Sequence, residues 1–246
     1  MNGRQEHPPW GWLAAIGLPV AHFVIQIALT VGGAGLLLLA LWATARLDPS
    51  SAAALANNGV FVGGLGAVGG LGTLALIYAV VTRLRKRPFR ATIGLTGRDY
   101  VRRAALGAIL LGGLMDLVTL ALRKPIVPDV LQPLFTGTAG VAAMIVFTVI
   151  VTPLVEELLF RGVLFPVAAC SLGTTGGIWL VSVLFGFVHV ATYGLDMYLI
   201  AQTLVAGLYF TWLRARTGSL MPSVAAHAAL NLYATVEAIV LVNVIR

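Results

Sequence analysis

The chain has 246 residues, of which 59% are hydrophobic and 10% charged, with a formal net charge of +7. Ordinary globular chains carry about 25% charged residues, and apolar runs long enough to cross a bilayer recur along the whole chain, so the composition excludes an ordinary soluble protein. A single cysteine excludes an intramolecular disulfide. The sequence predicts an all-α, polytopic transmembrane helix bundle, because a membrane β-barrel would show short segments of alternating polarity.

Seven membrane spans are predicted in a single membrane domain that covers residues 1–246. The first apolar run exceeds the roughly 7–15-residue core of a signal peptide, so we interpret it as a retained span with a short interfacial lead-in. Within it, His22 and Gln26 stand four residues apart and are interpreted as an interhelical hydrogen-bonding pair. The predicted spans lie at about 18–44, 59–82, 104–122, 139–165, 176–192, 197–213 and 221–243.

The second span is rich in glycine. The string Gly64-Leu-Gly-Ala-Val-Gly69 matches the dinucleotide fingerprint G-x-G-x-x-G. No strand precedes it and no βαβ unit surrounds it, so the match lacks the context that nucleotide binding needs. The spacings Gly59/Gly63 and Gly66/Gly70 instead predict close packing of this helix against a neighbour.

Half of the basic residues, eight of the sixteen Lys and Arg, lie in residues 83–103, here called the basic segment. This placement predicts a cytoplasmic loop near anionic lipid. Nucleic-acid binding is not predicted, because no soluble basic fold is available to carry it. With seven spans the N-terminus then lies inside the cell, and the polar site is predicted to open towards the cytoplasmic half of the membrane. Richness in Ala, Gly and Arg favours a prokaryotic cell membrane. The basic residues are Arg83, Arg85, Lys86, Arg87, Arg90, Arg98, Arg102 and Arg103.

Two adjacent carboxylates and an arginine interrupt the fourth span. A charge near the bilayer centre costs on the order of 3 kcal/mol, so such residues usually pair inside a bundle and mark function. On a helix, Glu157 and Arg161 are i,i+4 neighbours and can pair. Glu156 lies about 100° around the helix, which leaves it in need of another partner. Pro153 is predicted to kink the helix just before the glutamates.

Further polar groups lie in two later spans. His189 ends the fifth span, and His227 and Asn231 share one face of the seventh. A carboxylate with a histidine can activate water, and a second histidine with an amide can stabilise an oxyanion. Two histidines and a glutamate could instead hold a metal, and each residue alone could be hydrogen-bonding glue between helices.

Other protease chemistries lack their residues. The sequence has no Gly-x-Ser-Gly string and no His-Glu-x-x-His zinc motif. Asp116 and Asp196 are the only candidates for an aspartyl pair sharing a proton. Ser182, Ser219 and Ser223 are interpreted as helix and turn residues.

Three motifs resemble those of the CPBP family, which includes the type II CAAX prenyl endopeptidases and the Abi or bacteriocin self-immunity proteins. The resemblance covers about residues 139–235, a predicted catalytic core. The motifs are Glu156-Glu157-x-x-x-Arg161, Phe185-x-x-x-His189 and His227-x-x-x-Asn231.

The resemblance implies an intramembrane endopeptidase of the glutamate-dependent type, acting on a membrane-associated or lipidated peptide. Glu156 and His189 would activate water, and His227 and Asn231 would stabilise the oxyanion. Supporting residues would be Glu157, Arg161 and Phe185. No cofactor is expected; zinc held by Glu156, His189 and His227 is the less favoured version. The alternative function is a non-catalytic peptide-binding or bacteriocin-immunity factor that uses the same cavity. The sequence leaves the oligomeric state open.

We predict that the basic segment faces the cytoplasm. A cysteine placed at position 90, in a chain whose Cys170 is replaced by serine, should react with a membrane-impermeant reagent only after the cells are opened. Labelling of position 90 in intact cells would reverse the orientation and the placement of the site.

Overall fold

All regular elements in the described part of the chain are helices. The structure is a computed structural model that describes residues 8–44, 50–97 and 99–244, so His7 and Arg98 lie outside it. The α-helices are α1 (Trp12–Ala43), α2 (Ser51–Ala56), α3 (Gly59–Ala79), α4 (Phe89–Thr92), α5 (Val101–Ala121), α6 (Thr138–Ile145), α7 (Thr152–Glu157), α8 (Phe165–Val188), α9 (Val190–Tyr193), α10 (Met197–Thr217) and α11 (Met221–Asn243).

Five helical stretches in the described ranges are long and apolar enough to cross a membrane, which confirms the all-α polytopic class. They are Trp12–Ala43, Gly59–Leu84, Val101–Ala121, Thr138–Tyr193 and Met221–Asn243. The fourth has 56 residues, whereas one crossing needs about 20. Inside it the backbone turns at Gly173 (φ 74°, ψ 165°), and Gly177 lies against the backbone of Ala169. The count of seven spans stays a prediction.

Two boundaries differ from the sequence prediction. Helix α1 begins at Trp12, so the residues expected as an interfacial lead-in belong to the helix itself. The loop expected between about 165 and 176 is helical on both sides of Gly173. Sequence hydropathy alone does not separate a helix end from a membrane boundary.

The helix that carries the glutamates is widened at two places. A π-helical segment, Val146–Val151, precedes α7, and another, Leu158–Leu164, follows it. Each ends two residues before a proline, Pro153 or Pro166. Proline has no N–H and its ring clashes with the carbonyl four residues earlier, and local π-helical turns are one way in which membrane helices accommodate a proline. A π-helical segment therefore stands directly before Pro153, where the sequence predicts a kink; the kink itself stays a prediction.

Glycines bring α3 close to the helix of the glutamates. A Cβ on Gly63 would lie 3.0 Å from the carbonyl carbon of Ala143, and one on Gly70 would lie 3.3 Å from Cγ2 of Val155. Gly59 lies against the Leu134 carbonyl. These contacts match the predicted small-residue packing and set Glu156, the residue after Val155, beside α3.

The basic segment and the turn between α10 and α11 lie together at one end of the bundle. The Leu220 N–H donates to the Gly94 carbonyl over 2.7 Å, and the Ser219 hydroxyl donates to the Thr96 carbonyl. The Trp10 indole donates to the Val163 carbonyl over 3.0 Å. The start of α1, the basic segment and the end of the glutamate helix therefore share one side of the bundle.

We predict that Gly63→Ala destabilises the bundle while Gly64→Ala does not. A Cβ at Gly63 meets backbone atoms of the neighbouring helix, whereas one at Gly64 meets no atom within 4 Å. Overpacking of this kind costs about 1–3 kcal/mol, and Gly64→Ala should even gain helix propensity. Thermal unfolding of both variants in lipid nanodiscs tests this; equal midpoints would contradict the described α3 contact.

Candidate active site

A buried ion pair lies at the base of the site. Arg161 Nη1 donates to Glu157 Oε1 over 2.8 Å, and both side chains are 0% exposed. This is the i,i+4 pair that the spacing predicts. Arg161 Nε also donates to the Thr211 hydroxyl, and Nη2 to the Gly207 carbonyl, each over 3.0 Å. The guanidinium lies 4.3 Å from the centre of the Phe185 ring, so α10 and α8 both contact the pair.

His227 lies between the two glutamates. Its Nδ1 lies 2.9 Å from Glu157 Oε1, and its Nε2 lies 3.9 Å from Glu156 Oε2. A carboxylate paired with arginine accepts and does not donate, so the Nδ1 of His227 carries a proton. The ring stacks on Phe210, with centroids 4.8 Å apart. Glu157 therefore fixes His227 with Nε2 directed towards Glu156.

Glu156 is the carboxylate without a hydrogen-bond partner. Its Oε2 is buried and accepts no hydrogen bond from the described residues, and the side chain is 20% exposed. Glu157 Oε2 also lacks a donor, but Glu157 is held through Oε1 by Arg161 and His227. The spacing argument predicts this difference between the neighbouring glutamates. A buried carboxylate oxygen with no donor is costly, and a carboxylate kept inside an apolar span at such a cost is a candidate functional residue.

His189 lies in the same cavity and its tautomer follows from geometry. Its Nδ1 lies 2.7 Å from the Phe185 carbonyl oxygen, which can only accept, so Nδ1 carries the proton. In the neutral ring Nε2 is then an acceptor. Phe185 packs against both histidines, with centroids 4.9 Å from His189 and 5.8 Å from His227.

Asn231 stands one turn after His227 on α11. Its Nδ2 donates to the Thr148 carbonyl over 2.8 Å. The amide has a second N–H, and this bond to the π-helical segment orients it. Asn231 thus connects the seventh predicted span to the helix of the glutamates.

A cavity of about 460 Å³ joins these groups. Glu156, Phe185, His189, His227 and Asn231 all line it. Glu157 and Arg161 do not, because they are enclosed behind His227. The cavity continues to residues 126–135, at the other end of α5 from the basic segment.

The structure adds cavity residues that the sequence did not mark as part of the site. His22 lines the cavity, although its spacing suggested only helix packing. Asp116 and Glu237 also line it, and the Tyr233 hydroxyl donates to Asp116. An ionisable residue in an apolar run was the available signal in each case.

The residues weighed for other protease classes have structural partners. Asp116 accepts from Tyr233 on α11, and Asp196 caps α10 by accepting from the Tyr198 N–H over 2.9 Å. The predicted serine assignments also agree with the structure: Ser182 and Ser223 donate to backbone carbonyls within and between helices.

A metal site needs several convergent ligands. Among the described residues, no group of three or more His, Cys, Asp or Glu side chains is arranged to hold an ion. Glu156 and His227 face each other, while His189 Nδ1 is engaged by a backbone carbonyl. A histidine that ligates a metal commonly donates its other ring N–H to such an oxygen, so the choice between the metal-free and the zinc-dependent version stays a prediction.

Part of the chain matches a known protein family. Residues 138–233 match the family model described as type II CAAX prenyl endopeptidase Rce1-like. All seven predicted site residues lie within that segment, and the match confirms the resemblance based on the three motifs. No curated protein and no solved structure matches the chain significantly.

We predict that Arg161→Ala lowers folded yield. Removing one partner of a buried ion pair leaves an uncompensated charge at Glu157, which costs about 3–5 kcal/mol. Arg216→Ala, at the exposed end of α10, is the matched control and should unfold like wild type. Yield by size exclusion and thermal unfolding are the measurements. A well-folded Arg161→Ala that has lost only activity would instead assign Arg161 to substrate contact.

Proposed function

We infer that this protein is an intramembrane endopeptidase that uses Glu156 as its general base. Residues 138–233 match the Rce1-like family of CAAX-type membrane proteases. The observation that supports this assignment is the unpartnered Glu156 carboxylate facing His227 Nε2 over 3.9 Å, in a cavity that His189 and Asn231 also line.

The first step is attack by water. Water bound between Glu156 and the Nε2 acceptor of His189 gives a proton to Glu156 as its oxygen bonds to the scissile carbonyl carbon. Glu156 Oε2 accepts no hydrogen bond from another residue among those described, so it can take that proton. The apolar walls of the cavity strengthen the electrostatic interactions in this step.

The second step is stabilisation of the tetrahedral oxyanion. Asn231 holds one N–H on Thr148 and offers the other to the oxyanion. His227 contributes from Nε2 when both ring nitrogens are protonated, and Glu157 keeps its Nδ1–H in place. Glu156 then returns its proton to the leaving nitrogen as the C–N bond breaks, which restores the starting carboxylate.

The substrate is a hydrophobic or lipidated peptide segment in the membrane. Apolar side chains make up much of the cavity wall, including Met115, Leu131, Phe147 and Leu230. Such a wall suits an apolar chain, while the few polar groups orient the scissile bond. The family description names prenylated CAAX substrates, and we propose a lipid-modified peptide end as the substrate type, in a prokaryotic membrane with the glutamates in its cytoplasmic half.

We predict that Glu156→Gln lowers cleavage by a factor of roughly 10² to 10⁴, because the amide keeps the shape and loses the basicity. Glu237→Gln makes the same chemical change elsewhere on the cavity wall and should keep activity within a few-fold. Cleavage of a farnesylated CAAX peptide by protein in nanodiscs is the measurement. The accumulated membrane proteins of cells carrying Glu156→Gln would identify native substrates.

Two results would contradict parts of this assignment. Full cleavage by Glu156→Gln would show that Glu156 is not the general base. Full biological function without cleavage would favour the binding-only alternative. Loss of activity with chelator, together with stoichiometric zinc in the purified protein, would replace the metal-free mechanism.

A further inference from the structure

We propose that His22, on α1, is a substrate-binding residue whose Nε2 accepts a hydrogen bond from a backbone N–H of the substrate. This inference rests on the proposed protease function and adds a residue outside the matched segment 138–233. It deepens that function by naming the peptide group which the α1 side of the cavity recognises.

The position of His22 follows from helix packing. Its side chain is 8% exposed and lines the same cavity as Glu156. It contacts Thr73 on α3, one turn beyond Gly70, whose missing side chain lets α3 approach Val155. The histidine therefore lies across the cavity on the α3 side of the glutamate helix.

The hydrogen bonds of His22 determine which nitrogen is available. Its Nδ1 lies 2.9 Å from the Thr73 hydroxyl oxygen, and that hydroxyl donates its own proton to the Gly69 carbonyl over 3.0 Å. The hydroxyl can then only accept from the ring, so Nδ1 carries the proton. In the neutral ring Nε2 is an acceptor, and it makes no hydrogen bond to the described residues.

A backbone N–H is the group that such an acceptor fits. A peptide must be extended at the scissile bond, so its N–H and C=O groups lose their helical partners in a low-dielectric setting. Each unsatisfied group is costly, and the cavity must supply partners. Asn231 supplies a donor for a carbonyl, and His22 Nε2 supplies an acceptor for an N–H. The contact between α1 and α3 uses only Nδ1 of His22. It therefore gives no role to the second ring nitrogen, Nε2.

Two substitutions test the roles of the two ring nitrogens of His22 one at a time. His22→Asn keeps an amide near the Nδ1 position, and with it the Thr73 bond, but removes the acceptor in the cavity. His22→Gln places an amide oxygen near the Nε2 position. We expect His22→Asn to raise KM for a farnesylated CAAX peptide about 10-fold with little change in kcat, and His22→Gln to recover most of that loss.

The matched control is Trp10→Phe. It removes another hydrogen bond of the α1 side, to the Val163 carbonyl, and does not line the cavity. Its KM should equal that of wild type. A purely structural role for His22, exerted through the Thr73 bond, would instead leave His22→Asn close to wild type and impair His22→Gln, with a lowered unfolding temperature, and would overturn the proposal.

The substrate side is tested with peptides in which one amide at a time is replaced by an ester, which removes a single N–H. The penalty of His22→Asn should vanish for one ester and persist for the others. The same penalty for every ester would overturn the proposal. If Glu156→Gln is inactive and His22→Asn has a wild-type KM, His22 binds no substrate and the protease assignment stands. Full cleavage by Glu156→Gln would defeat only the assignment of Glu156 as general base, whereas absence of cleavage by the wild-type protein would defeat the protease assignment itself.

Binding of the peptide to His22 can also be measured without turnover, in the Glu156→Gln protein, which is expected not to cleave it. Histidine ¹⁵N spectra in nanodiscs, assigned by loss of the His22 signals in a His22→Asn variant, should show a protonated Nδ1 and an unprotonated Nε2. Adding the farnesylated peptide should shift the Nε2 signal. A proton on Nε2, or an Nε2 signal unchanged at saturating peptide, would overturn the proposal.

Discussion

The site depends on one ion pair removed from solvent. Arg161 and Glu157 are both 0% exposed, and the guanidinium is satisfied by Glu157, the Thr211 hydroxyl and the Gly207 carbonyl. Removing either charge would leave the other stranded in a low-dielectric interior. Because Glu157 also accepts from His227, the same pair ties α10 and α11 to the helix that carries both glutamates.

The neighbouring glutamates differ because their environments differ. Glu157 faces the bundle, where arginine and histidine compensate its charge. Glu156 lies about 100° around the helix, lines the cavity and has no arginine or histidine hydrogen-bonded to it, whereas Glu157 is held by both through Oε1. The first carboxylate therefore holds the site together, while the second lies on the wall of the cavity. Opposite environments for adjacent titratable groups are a common way to divide acid–base roles.

Close helix packing gives the cavity its walls. Glycines on α3 admit the glutamate helix, and π-helical turns before Pro153 and Pro166 widen that helix on either side of α7. Small residues and local widening both permit close approach without breaking the backbone hydrogen bonding that a membrane demands. As a result, α1 also reaches the cavity, and His22 lies in one space with the residues of the later spans.

The sequence by itself determined the helical membrane class, the Glu157–Arg161 pair and the candidate set Glu156, His189, His227 and Asn231. These follow from local quantities, namely apolar run length, i,i+4 spacing and the rarity of charge in apolar segments. Only the tertiary structure decided that Glu157 holds His227 by Nδ1, that Gly173 marks the turn in a 56-residue stretch, and that His22 joins the cavity. Those facts depend on which helix faces which and at what depth, and contacts between distant segments leave no periodic trace in one sequence.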